Sequence, residues 1–128
     1  MNKTSWAKLI GSHKKKCEEI ISFSKDIRYA GVFNEYGRTI AGKIRPGIKP
    51  IFSPNAVREE FFTISSTMRL RQKFGKGLGE LEYVLIIHKK INILLFSQNN
   101  VTYYITMSSK TNPTSTLINK IKKLIMTV

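Results

Sequence analysis

Apolar residues recur at helical spacing over residues 5–23, near the start of the chain. Members of this stripe lie mostly three or four positions apart, as on the buried face of an amphipathic helix. They are Trp6, Leu9, Ile10, Cys17, Ile20 and Ile21, with His13 among them. Lys14-Lys15-Lys16 fall largely off the stripe. The pattern predicts a first helix that buries one face. Gly11 and a weak start leave two alternatives for its first turns, which are fraying and contact with a partner.

A middle helix is predicted to begin at Ser53 and Pro54. The serine hydroxyl can cap free backbone N–H groups, and proline suits the first helical position because its missing N–H costs nothing there. We expect the helix to run to about Phe74 and to stop at Gly75-Lys76-Gly77. These glycines do not match a phosphate-binding loop, since such loops follow a strand and precede a helix. Helix termination is favoured, and anion contact through Lys76 is the alternative.

Helical phasing gives this middle helix two apolar faces. The first face consists of Val57, Phe61, Ile64 and Met68. We expect it to pack on a sheet. The second face consists of Thr63, Thr67, Leu70 and Phe74. Since a helix with two apolar faces can contact both its own sheet and something else, we predict that the second face is a homodimer interface. The alternative is that the first or last helix covers it.

The remaining apolar runs have the composition of β-strands. Residues 27–34 and 39–44 flank Glu35-Tyr36-Gly37-Arg38, where the glycine can supply the positive φ of a hairpin turn. Residues 82–88, 91–97 and 101–108 are rich in Ile, Val, Tyr and Thr. Asn99-Asn100 suits a tight turn. Lys89-Lys90 does not, so we expect a longer junction there or a bend in one continuous strand.

A last helix is predicted after Thr111-Asn112-Pro113-Thr114. Its apolar face consists of Leu117, Ile118, Ile121, Leu124 and Ile125. The element order is therefore α-β-β-α-β-β-β-α. We expect an α+β fold, with a single antiparallel five-stranded sheet and helices on its faces, and the chain of 128 residues suits one domain over 1–128.

The net charge of +14, from 22 Lys and Arg against 8 Asp and Glu, raises the expectation of a polyanionic partner. One side of the middle helix gathers cations around an aromatic ring, which is typical of single-strand nucleic-acid binders. This basic band consists of Arg58, Phe62, Arg69, Lys73 and Lys76. The alternative is a solvated face with Phe62 against a neighbour or a dimer partner.

The sequence contains no set of residues that indicates a catalytic site or a metal site. Cys17 is the only cysteine, so no intrachain disulfide can form, and a reducing cytoplasm is the simpler expectation. His13 and Cys17 could share a helix face, yet two ligands do not make a structural zinc site. Glu59 and Glu60 are adjacent and point apart, which makes a poor acid–base pair. We predict no enzyme activity, no metal or cofactor, and no membrane span.

The element order resembles the roadblock, longin and profilin-like group of small α/β sandwiches. The hairpin sequences Asp26-Ile27-Arg28-Tyr29-Ala30-Gly31-Val32, Ile40-Ala41-Gly42 and Arg45-Pro46-Gly47 look like those of a family of small uncharacterised proteins in ammonia-oxidising archaea. Leu78-Gly79-Glu80-Leu81-Glu82-Tyr83 is similar to that family's approach to its third strand. The resemblance implies the fold and the source more than an activity.

Roadblock-type domains are scaffolds that commonly dimerise through the middle helix and third strand and often bind small GTPases. The present chain departs from typical members in its basic middle helix. We expect a non-enzymatic protein-interaction module, a homodimer with an unidentified protein partner. The alternative is a basic nucleic-acid-binding protein. A small-ligand sensor is a third hypothesis, for which the sequence shows no convergent polar pocket.

Overall fold

A computed structural model describes residues 3–110 and 112–127 of the chain. The elements are α1 (Lys3–Ser22), β1 (Ile27–Asn34), β2 (Thr39–Ile44), α2 (Pro54–Gln72), α3 (Gly75–Leu78), β3 (Val84–Ile87), β4 (Ile91–Gln98), β5 (Val101–Ser108) and α4 (Ser115–Met126). The strands form one antiparallel sheet in the order β2-β1-β5-β4-β3. The expected fold class is confirmed, with α3 as an addition.

Alternation along the strands gives the sheet two buried faces. One face packs against α1 and α4, where Ile105 of β5 contacts a cluster that includes Cys17 and Ile121. The other face packs against α2, where Tyr104 of β5 belongs to a second cluster. Phe61, Ile64 and Met68 are buried in that cluster and Val57 borders it. The first apolar face predicted for α2 is therefore confirmed.

The β1–β2 turn lies directly against α2. Gly37 adopts a φ of 82°, as its place in the turn requires. Asn34 Oδ1 accepts hydrogen bonds from the backbone N–H groups of Tyr36 and Arg38, at 2.9 and 3.0 Å. A Cβ atom on Gly37 would lie 2.7 Å from the Cα of Phe62. Glycine is thus needed both for the turn and for the close approach of the helix.

Two predicted junctions are wrong in detail. Helix α2 ends at Gln72, and the predicted stop at Gly75-Lys76-Gly77 is instead the short helix α3, which ends at Gly79 with φ 81°. Lys89-Lys90 forms a tight two-residue turn, because His88 N–H donates to the Ile91 carbonyl at 3.0 Å. Strand pairing on both sides of this turn outweighs its poor turn residues.

The first turns of α1 are helical but lie outside the core. Cys17, Ile20 and Ile21 are buried as expected, whereas Trp6 and Leu9 are exposed. The 20 residues of α1 span about 30 Å. The eight residues of β1 span only about 26 Å. Of α1, the core takes up residues from His13 onward, so helical periodicity continues where the core does not.

The other bounds agree to within about two residues. Strand β3 begins at Val84 rather than two residues earlier. Helix α4 begins at Ser115, and the Thr114 hydroxyl caps it by accepting from the Leu117 N–H at 3.1 Å. Thr111, where the last loop was predicted to start, lies outside the described residues. Across the described parts of the chain, no helix is both long and apolar enough to cross a membrane.

Candidate functional site

The second apolar face of α2, here called the outer stripe, is open to solvent. Its residues are Thr63, Thr67, Leu70 and Phe74. The side chains of Leu70 and Phe74 are 54% and 55% exposed. The Thr67 hydroxyl donates to the Thr63 carbonyl at 3.0 Å, so helix backbone already satisfies it. The structure brings the four predicted residues to one surface, which no other element in the described ranges covers.

The outer stripe faces the β3 side of the sheet. Thr63 lines a shallow cleft together with His88 and Ile91, which belong to the β3–β4 hairpin. Beyond Phe74 the chain forms α3, whose Leu78 is 72% exposed. Strand β3 is at the edge of the sheet and carries the exposed Ile87. Exposed apolar side chains and a strand edge with free hydrogen-bonding groups therefore occur on the same side of the molecule.

The basic band lies on the opposite side of α2, next to the β1–β2 turn. Arg58, Phe62 and Lys73 are exposed there. The Arg69 guanidinium donates to the Glu35 carbonyl at 2.9 Å and to the Ser66 hydroxyl at 3.2 Å, so it fixes the turn to the helix.

Two corrections apply to the basic band. Lys76 lies on α3 rather than α2, so its placement by the phase of one continuous helix was wrong. The exposed Tyr36 was missed, and its ring lies 5.9 Å from the Arg69 guanidinium carbon. Only the pairing of β1 with β2 brings the turn that carries Tyr36 to α2, and the periodicity of α2 alone could not reveal it.

His13 and Cys17 both serve the core. His13 Nδ1 and the Tyr103 hydroxyl form a hydrogen bond of 2.6 Å. Burial, and then the positive charge of Lys16, hold the pKa of His13 below its ordinary value. Burial raises the pKa of the Cys17 thiol to about 12. A neutral imidazole and an un-ionised thiol fit a structural role.

Glu59 and Glu60 differ in their surroundings. Glu60 accepts a hydrogen bond from the Tyr104 hydroxyl at 2.7 Å, which ties α2 to the sheet. Glu59 is exposed. Both line the same shallow cleft beside Thr63. The bond to Tyr104 gives Glu60 a structural role.

A cavity of about 440 Å³ lies between the sheet and the N-terminal half of α2. The walls are mostly apolar and come from β1, β2, β5, α2 and the loop of residues 45–53. Sequence reasoning missed this site, because its residues are scattered along the chain and show no shared motif.

No protein-family model matches the chain, and no curated protein matches it. Solved structures do match. The gliding protein MglB from Thermus thermophilus has a TM-score of 0.71 at 11% identity, over 91% of this chain and 87% of that chain. A roadblock/LC7 domain from Streptomyces avermitilis has a TM-score of 0.60 at 9% identity, over 89% of this chain and 98% of that chain. This chain has a roadblock-like fold.

Profilin from Schizosaccharomyces pombe is also similar, with a TM-score of 0.56 at 13% identity over 88% of this chain and 90% of that chain. At such identities the likeness concerns the fold alone. In this chain the outer stripe of α2 is exposed on the same side of the molecule as the edge strand β3.

Proposed function

We propose that this protein is a non-enzymatic protein-interaction module that acts as a homodimer through the outer stripe of α2. The observation that supports it is the exposure of Leu70 and Phe74, at 54% and 55%, on a helix whose other apolar face is buried. Adjacent exposed apolar side chains on a protein surface often mark contacts. A two-fold pair would place each stripe against its own copy.

The energetics require more than these two side chains. Complete burial of a Leu or Phe side chain contributes about 1.5–3 kcal/mol. Leu70 and Phe74 are each about half exposed, so four of them in a two-fold contact contribute about 3–6 kcal/mol. Association costs at least about 4 kcal/mol in lost freedom of motion. The proposed interface therefore includes the exposed Leu78 and the β3 edge.

The charge of the protein sets the conditions of the test. Each copy carries +14, so two copies repel each other at low ionic strength. Added salt screens that repulsion and should strengthen an apolar contact. Self-association should therefore increase between low and moderate salt, whereas a contact that rests on ion pairs would weaken.

Light scattering on the purified chain at moderate salt tests the proposal. We expect twice the monomer mass, and we expect the double variant Leu70→Glu with Phe74→Glu to be a folded monomer. Leu9→Glu is the matched control, because Leu9 is an exposed apolar residue of α1 on the other face of the sheet. A monomeric wild type would refute the homodimer. A dimer that only Leu9→Glu disrupts would place the interface on α1.

Nucleic-acid binding is a second candidate function, supported by the net charge of +14 and by the exposed Arg58, Phe62 and Lys73 of the basic band. Each phosphate contact with single-stranded nucleic acid changes the slope of log affinity against log salt by about 0.7. The double variant Arg58→Gln with Lys73→Gln should therefore flatten the slope by about 1.4. The control is Lys14→Gln with Lys15→Gln on α1. Equal slopes for all three proteins, or no binding at low salt, would refute this candidate.

We also propose that the chain is one cytoplasmic domain of the archaeal small-protein family whose hairpin it resembles. The supporting residues are those of the hairpin and of the segment that leads to β3, 26–32, 40–42, 45–47 and 78–83. A single cooperative unfolding transition, observed both by far-ultraviolet circular dichroism and by tyrosine fluorescence, is expected of one domain. Two separate transitions would contradict it.

A further inference from the structure

The cavity beneath α2 has the size and walls of a small-molecule site. Its volume is about 440 Å³, within the range of about 300–1,000 Å³ of such sites. Apolar and aromatic side chains form most of its wall. They include Tyr29, Ile44, Ile48, Phe52, Val57 and Phe61.

Two glycines leave space for the Tyr29 side chain at the wall of the cavity. The phenol end of Tyr29 lies against Gly31 and Gly42, and a Cβ atom on Gly42 would come within 2.7 Å of the Tyr29 hydroxyl oxygen. A side chain at either glycine would displace the Tyr29 ring. The covering loop is also anchored, because Arg45 donates to the carbonyls of Ile27 and Ser24, each at 2.7 Å. The cavity is therefore built into the fold.

Two residues that line the cavity each carry a buried polar atom with no hydrogen-bond partner among the described residues. Thr106 is 4% exposed, and its Oγ1 is buried and unpaired. The Arg28 Nε is also buried and unpaired. Tyr104 lines the same cavity, but its hydroxyl is already bonded to Glu60. Since buried polar groups are normally paired, Thr106 and Arg28 point to a missing acceptor.

Arg28 and Thr106 belong to adjacent strands of the sheet. Thr106 is the cross-strand partner of Tyr29, the residue that follows Arg28. Two cations, Arg28 and Lys49, line the cavity, and the carboxylate of Glu60 lies behind its wall, bonded to the Tyr104 hydroxyl. A charged N–H donor and a hydroxyl donor match the two acceptor oxygens of one carboxylate. A phosphate has more acceptor oxygens than these donors satisfy.

We propose that the cavity binds a small carboxylic acid with an apolar body. The Arg28 Nε and the Thr106 Oγ1 are buried, so on binding these two side chains turn to donate to the carboxylate, and the apolar body lies against Tyr29, Phe52 and Phe61. This inference is independent of dimerisation, because the outer stripe and the cavity share no residue.

Two matched pairs of probes test the proposal on the full chain: naphthoate with naphthamide, and octanoate with octanamide. Calorimetry should show at least one carboxylate binding about tenfold more tightly than its amide, since a charge-assisted bond exceeds a neutral one by about this much. Nitrogen–proton correlation spectra should place the shifts on β1, β2, β5 and the loop of residues 45–53.

Three variants assign the contacts. Arg28→Gln should weaken carboxylate binding by about tenfold and leave amide binding unchanged. Thr106→Val keeps the side-chain shape and removes the unpaired hydroxyl, so it should fold and should also weaken the carboxylate. Arg38→Gln, an exposed arginine that does not line the cavity, is the control and should bind as wild type.

The outcomes are distinct once urea unfolding confirms that each variant is folded. No binding of either carboxylate would overturn the proposal. Equal affinity for acid and amide would overturn it as well. The same holds if Arg28→Gln and Arg38→Gln bind alike, or if the spectral shifts fall on α1 and α4 instead of the cavity.

Discussion

Truncation of Phe61 tests the packing of α2 on the sheet. Phe61 is 3% exposed, and its ring centroid lies 4.5 Å from that of Phe33 and 5.0 Å from that of Tyr104. A buried Phe→Ala change costs about 3–5 kcal/mol, and each aromatic pair adds about 0.5–1.5 kcal/mol beyond buried area. Because Phe61 also borders the cavity, part of the vacated space joins an existing one. We expect Phe61→Ala to lower the free energy of unfolding by about 4 kcal/mol.

Urea unfolding followed by circular dichroism measures this loss. At an m value of about 2 kcal/mol per molar, the midpoint should fall by about 2 M. Phe62→Ala is the matched control, because Phe62 is the next residue and is 58% exposed. The control should lose about 0.5 kcal/mol. Similar losses in the two variants, or a loss below about 1 kcal/mol in Phe61→Ala, would mean that another face of α2 contacts the sheet.

Three further changes have expected results. The pKa of His13 in the folded chain is below the ordinary 6.5. Above pH 6.5 the His13 imidazole is neutral in both the folded and the unfolded chain, and below pH 6.5 the unfolded chain binds the proton first. Acid should therefore destabilise the fold. His13→Gln should remove this slope from urea midpoints between about pH 7 and about pH 5. Asn92→Leu should raise the thermal midpoint, with a gain of about 1 kcal/mol, because Asn92 is 1% exposed and both its side-chain polar atoms lack partners in the described ranges. Gly37→Ala should cost more than about 1 kcal/mol in urea unfolding, since its φ is 82° and a Cβ would lie 2.7 Å from the Phe62 Cα.

Local patterns in the sequence predicted most of the fold. The two apolar faces of α2 follow from helical phasing alone, and the structure buries Phe61 and exposes Leu70 accordingly. The turn at Asn99-Asn100 was also predictable, because asparagine tolerates positive φ and both residues adopt it, at 50° and 66°. These features depend on residues close together in the chain, so a single sequence carries enough information.

Features that depend on distant residues were not predictable. The exposure of Trp6 depends on which elements pack against the first turns of α1, and periodicity within α1 does not report that. The turn at Lys89-Lys90 depends on the pairing of Ile87 with Asn92. The cavity is formed by residues of β1, β2, β5, α2 and the loop of residues 45–53, and no local pattern identifies them together.

Cysteine cross-linking tests most directly whether the outer stripe is the homodimer interface. The native Cys17 is 0% exposed and burial raises its pKa to about 12, so it should not react with a short bifunctional maleimide at neutral pH. Thr67→Cys places a thiol in the middle of the stripe, and Ser12→Cys places one on the exposed side of α1. We expect a covalent dimer from Thr67→Cys alone. Equal yields from the two variants, or a dimer only from Ser12→Cys, would contradict a homodimer formed through α2.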